Sequence, residues 1–107
     1  MSKSSTTTRR KLAPIPPGEI LLEEFMRPAG ISQNLLARSL GVPVSRIAGV
    51  VKGERAITAD TALRLATFYG TSAEMWLRLQ AEFDLRCVER EHGGAIRRVV
   101  RPLKDVA

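Results

Sequence analysis

The sequence predicts an all-α domain of five short helices between two basic tails. Three observations predict it: apolar residues recur at helical spacing in five stretches from Gly18 to Glu91; Ser32, Thr58 and Ser72 stand where a helix needs an N-cap; and Gly30, Gly41, Gly53, Gly70 and the Gly93-Gly94 pair stand where helices end. At 107 residues the chain suffices for one core, not two. The expected organisation is a disordered basic tail over 1–16, a helical domain over 17–92 and a basic C-terminal tail over 93–107.

The first helix is predicted from about Gly18 to Met26, with Glu19, Glu23 and Glu24 toward its positive N-terminal end and Leu21, Leu22, Phe25 and Met26 facing inward. Pro28 and Gly30 are expected to stop it. The second, Gln33 to Leu40, follows the Ser32 cap and repeats apolar residues at Leu36, Ala37 and Leu40. Gly41 can take the left-handed conformation that closes it, and Pro43 can open the third.

On that third helix, residues 100° apart send Ile47, Val50 and Val51 to one side and Ser45, Ala48, Gly49 and Lys52 to the other, with Val44 and Arg46 on the flanks. Two short helices around a Gly-Val-Pro corner outline a helix-turn-helix, whose second member reads the major groove of DNA. Small outer residues suit close approach to base edges, although they also suit two helices in close contact, and Gly49 costs about 1 kcal/mol of helix stability relative to alanine.

The fourth helix follows the Thr58 cap, with Asp60 in its first turn and Ala62, Leu65, Ala66 and Tyr69 along one face. A fifth, Ala73 to about Glu91, carries two apolar stripes: Trp76, Leu79, Phe83 and Cys87, and Leu77, Ala81, Leu85 and Val88. Either the domain buries both, or one is shared with a second copy across a two-fold axis. Trp76, Leu79, Gln80, Phe83 and Cys87 are the expected dimer interface. Beyond Gly94, Ile96, Val99 and Val100 alternate like a strand but Pro102 interrupts them, so the tail is expected to be extended or disordered. It suits a basic DNA arm, a protein-binding segment or a solubilising tail equally well.

Composition narrows the function. No apolar run approaches the length of a membrane span, and the N-terminus lacks the apolar centre of a secretory signal, which points to the cytoplasm. Cys87 is the single cysteine and His92 the single histidine, without a visible catalytic or metal-binding constellation around either. No enzyme activity, cofactor or metal is expected. The net charge of +6 lies mostly in the tails: Gly18 to His92 holds nine Arg or Lys against ten Asp or Glu. Within Ser32 to Arg55, however, Arg38, Arg46, Lys52 and Arg55 oppose only Glu54, a local basic patch in a slightly acidic domain.

The run from Pro17 to about Leu85 also resembles the HigA/VapI branch of the Xre, or phage-repressor-like, helix-turn-helix proteins, most specifically in PGEIL, LGVPVSRI, GERAITADTALRLA and GTSAEMWLRLQAEFDL. The resemblance implies a five-helix phage-repressor-like fold, usually homodimeric through the last helix. It also implies an antitoxin of a type II toxin-antitoxin pair that silences a small RelE-like ribonuclease toxin and represses its own operon on double-stranded DNA. By the same resemblance Gln33, flanked by Ser32 and Asn34, touches DNA; Val44, Ser45 and Arg46 occupy base-reading positions; and Lys52 and Arg55 fall where phosphate contacts are expected. Gly49 departs from the family's longer polar residue there, which shifts base choice toward Ser45 and Arg46. A helix-end or ion-pair role is equally open to Arg38 and Arg55. The toxin is expected on the tails or the first helix. Two other functions remain: a stand-alone Xre-type repressor with no toxin, and a helical protein-interaction module with a vestigial motif.

Overall fold

The computed structural model describes residues 13–106. The predicted N-terminal tail lies largely outside them; Pro16, at its end, is extended. Five helices and a closing single-turn helix follow, with no strand among the described residues. The first, α1, runs without a break through Pro17–Ile20, Leu21–Met26 and Arg27–Ala29. Next come α2 (Gln33–Leu40), α3 (Val44–Lys52), α4 (Ala59–Tyr69) and α5 (Ala73–Val99), and a single turn, α6 (Leu103–Val106), ends the chain.

Local chemistry sets most boundaries as predicted. The hydroxyls of Ser32, Thr58 and Ser72 accept from the backbone N–H of Leu35, Thr61 and Met75 at 3.0, 3.3 and 3.0 Å. Gly41, Gly53 and Gly70 close α2, α3 and α4 in the left-handed region, which costs a residue with a Cβ more than glycine. Pro43 stands one position outside α3, as its N-cap.

Two boundaries differ from expectation. Gly30 ends α1, but Pro28 does not, because the helix widens before it: Leu21–Met26 is a π-helical segment, and Arg27 N–H reaches back five residues to the Leu22 carbonyl. A proline ring collides with the carbonyl four residues earlier in a regular α-helix, and the wider turn relieves that clash. Nor does the Gly93-Gly94 pair end α5, which continues to Val99 in place of the extended or strand-like tail. Arg97 Nη2 donates to both carboxylate oxygens of Glu89 at 2.6 Å, and this pair lies across Gly93, where a Cβ would stand 2.9 Å from the Glu89 carboxylate. A side chain at Gly93 would make these flexible carboxylate and guanidinium ends shift.

The core is built from Leu21 and Met26 of α1, Leu36, Ala37 and Leu40 of α2, Ile47 and Val50 of α3, Ile57, the inner face of α4, and Trp76. Phe25 joins α1 to α4 and α5, its ring 5.1 Å from Tyr69 and 4.8 Å from Trp76, while Trp76 Nε1 donates to Thr71 Oγ1 at 2.9 Å. Burial raises the pKa of the Tyr69 phenol. At the other end of α1, Gly18 meets α3 directly: a Cβ built there would lie 1.8 Å from the Val50 carbonyl oxygen. No helix of the described residues is long and apolar enough to cross a membrane.

Gly18→Ala is therefore expected to destabilise by roughly 1–3 kcal/mol or more, lowering the calorimetric Tm by about 5–20 °C; an unchanged Tm refutes the close approach. Gly94 sits in mid-helix with space for a methyl group, so Gly94→Ala should stabilise by about 0.5–1 kcal/mol in urea unfolding. A glycine that ended the helix in the left-handed region would give a loss instead.

Candidate nucleic-acid interface

The α2–α3 corner is closed by backbone hydrogen bonds. Val42 N–H donates to Ala37 O at 3.0 Å, Gly41 N–H to Arg38 O at 3.2 Å, and Arg46 N–H to Pro43 O at 3.0 Å. At the far end of α3, Glu54 and Arg55 both donate their N–H to the Gly49 carbonyl, at 2.9 and 3.1 Å. Both ends of α3 are thus held, and its inner side is sealed by Ile47 and Val50, with Val51 half-buried.

The opposite side remains open. Ser45 and Lys52 are exposed, and Val44 keeps 43% of its surface. Ala48 is half-buried. On α2, Gln33 is half-buried while Ser32, Asn34 and Arg38 are exposed. Of the predicted DNA-facing residues, Ser32, Asn34, Val44, Ser45, Lys52 and Arg55 are exposed, and two others differ from expectation.

Gly49 is not open space for a base edge. The side chain of Arg55 crosses it, with Cβ and Nε at 3.2 and 3.6 Å from where a Gly49 Cβ would stand. The missing methyl leaves a lane, and the aliphatic stem of Arg55 fills it. Arg46, read as a base contact, has an intramolecular partner: its Nη1 donates to Asp60 Oδ2 at 2.6 Å, and its side chain is 28% exposed. Arg64 donates through Nε to the same oxygen at 2.9 Å and through Nη1 to the Leu40 carbonyl at 2.7 Å. Hydrogen bonds from Arg64 and then Arg46 hold the Asp60 carboxyl below its ordinary pKa. Sequence spacing could have suggested Asp60 with Arg64, four residues apart on one helix; nothing in it joined Asp60 to Arg46, fourteen residues away.

One residue of the expected dimer surface is withdrawn from it. Trp76 is wholly buried in its own chain, so no second copy can reach it. Leu79 packs on the same core, and Phe83 lines a crevice of about 180 Å³ beside Pro16 and Pro17. Gln80 accepts from Ile57 N–H at 2.8 Å and donates to Asp84 at 3.0 Å, tying the loop after α3 to α5. Cys87, half-buried, continues that inward stripe. The aromatic cluster with Phe25 and Tyr69 takes this face of α5, which leaves the other stripe outward: Leu77 and Val88 are exposed, and Leu85 keeps 68% of its surface.

The helix-turn-helix family model matches residues 22–76. Virulence-associated protein I of Dichelobacter nodosus is 45% identical over 83 residues, covering 78% of this chain and 77% of that protein. Among solved structures, an addiction module antidote protein of the HigA family from Coxiella burnetii superposes with a TM-score of 0.81 at 45% identity, covering 85% of this chain and 99% of that one. The Pseudomonas aeruginosa antitoxin HigA with the higBA promoter gives 0.81 at 40% identity, covering 84% and 98%. With the fold and the motif in common, and nearly the full length of the two solved structures and 77% of the virulence-associated protein covered, the chain belongs to the helix-turn-helix family, within its HigA-like, Xre-type branch.

Proposed function

We propose that this protein is the antitoxin of a type II toxin-antitoxin pair: it reads its own operator through α3, represses the operon, and neutralises a small RelE-like ribonuclease toxin in the cytoplasm without catalysing a reaction itself. The observation that carries the DNA half is the open edge of α2–α3: Ser45 and Lys52 are exposed on α3, whose other side is sealed, and Arg38 of α2 and Arg55 of the following loop are exposed as well. A 40%-identical antitoxin of the same fold has been solved with a promoter.

In this reading α3 enters the major groove by its N-terminal end, with Val44, Ser45 and Arg46 toward base edges. Gln33, flanked by Ser32 and Asn34 at the start of α2, fixes register on the backbone, and Lys52 and Arg55 neutralise phosphates. Gly49 takes part indirectly, by seating Arg55 on the helix. A second copy covers Leu77, Ala81, Leu85 and Val88 of α5, which brings two reading helices to a palindrome.

The toxin half is tested by expressing the reading frame beside this one. Growth arrest relieved by this chain, with the two proteins co-purifying, supports it. A neighbour that neither arrests growth nor binds leaves a stand-alone repressor. Lys52→Ala should weaken binding to every duplex and make the slope of log K against log salt shallower by about one; an unchanged slope removes Lys52 from the phosphate contacts. Leu85→Asp should convert a two-chain particle to a monomer by light scattering with its helical circular dichroism intact. A dimer that survives this change places the interface elsewhere.

A further inference from the structure

We infer that Asp60, outside the helix-turn-helix itself, is a positioning residue for sequence reading that holds Arg46 in a base-selective pose and keeps it from indiscriminate phosphate binding. The inference rests on the DNA-reading function proposed above.

Its foundation is the connection made by one carboxylate oxygen. Asp60 Oδ2 accepts from Arg46 in the first turn of α3 and from Arg64 on α4, and Arg64 reaches on to the carbonyl of Leu40, the last residue of α2. Three helices that meet at the reading edge are thereby joined through two guanidinium groups. All three side chains retain solvent exposure, at 28% for Arg46, 41% for Arg64 and 55% for Asp60. Pairs this exposed add little to stability, and the start of α4 already has its Thr58 cap. What the network does set is direction: a side chain with four rotatable bonds is held before DNA arrives, so less of its freedom is lost on binding.

The chemistry of the guanidinium makes that direction selective. With Nη1 engaged by Asp60, the edge formed by Nε and Nη2 retains two parallel N–H donors, the fork that guanine accepts at O6 and N7. A freely rotating arginine offers the same fork to any phosphate within reach. Asp60 also places a negative charge beside the reading helix, which repels the phosphate backbone of every duplex alike. Affinity for random DNA is reduced, and the difference between the right site and the rest is enlarged.

The test is binding of the full chain, by fluorescence anisotropy, to a duplex from the segment preceding its own coding frame and to a shuffled duplex. Wild type must prefer the first; absence of any preference overturns the inference together with the DNA-reading function. Asp60→Asn removes the charge at nearly constant size. The operator-to-shuffled ratio should fall about tenfold, with shuffled-duplex binding tighter and its salt slope steeper by about one. In an Arg46→Ala background the same change should leave the ratio where Arg46→Ala alone puts it. Equal loss on both duplexes, or the same fall in ratio without Arg46, shows that Asp60 serves only the fold and overturns the inference while the DNA-reading function stands.

Discussion

The reading helix is positioned by a contact in which one partner has no side chain. Gly18 brings the N-terminal turn of α1 against the carbonyl of Val50, closer than any Cβ allows. That approach lets the first turn of α1 pack directly on α3, and Leu21 and Met26, just beyond it, join the same core as Ile47 and Val50. Once α3 is pinned along this side, its orientation about its own axis is set. The residues left outward follow from that rotation, since Ile47 and Val50 cannot be exposed without opening the core.

A second constraint acts at the ends of α3. Pro43 and Gly53 set where the helix begins and stops, and the Gly49 carbonyl gathers the N–H groups of Glu54 and Arg55 just beyond it. This turn folds Arg55 back across Gly49. A glycine that weakens the helix intrinsically thereby presents a cation on its surface. The basic character of the edge comes from three sources: α2 supplies Arg38, α3 supplies Arg46 and Lys52, and the following loop supplies Arg55.

The legible parts of this fold were those decided within a few residues. Ser32, Thr58 and Ser72 each cap an N–H three positions on, and Gly41, Gly53 and Gly70 each end the helix they follow, so local chemistry sufficed. Pro28 differs because a π-turn can carry a helix through a proline, and Gly93-Gly94 because neither glycine adopts the left-handed conformation that ends a helix. The two stripes of α5 were both visible, yet choosing the inward one required knowing that Phe25 and Tyr69 converge on Trp76. The open edge of α2–α3 was readable from periodicity alone. The occupants of that edge were less so: Asp60 lies on another helix, and its bond to Arg46 exists only in three dimensions.

Charge distribution joins these points. A repressor that gained affinity only by adding cations would bind all DNA more tightly and discriminate no better, because phosphates are the same at every site. Between Gly18 and His92 this domain carries nine acidic against five basic residues outside the motif and confines its positive balance to Ser32–Arg55. Arg46, the cation nearest the N-terminal end of α3, is the one partly sheltered and paired with an acid. Lys52, at the opposite end of the same helix, is exposed. That division matches the different demands of the base and phosphate contacts proposed for these two residues. A phosphate contact tolerates a mobile cation, whereas a base contact needs a donor pair fixed in place before the duplex arrives.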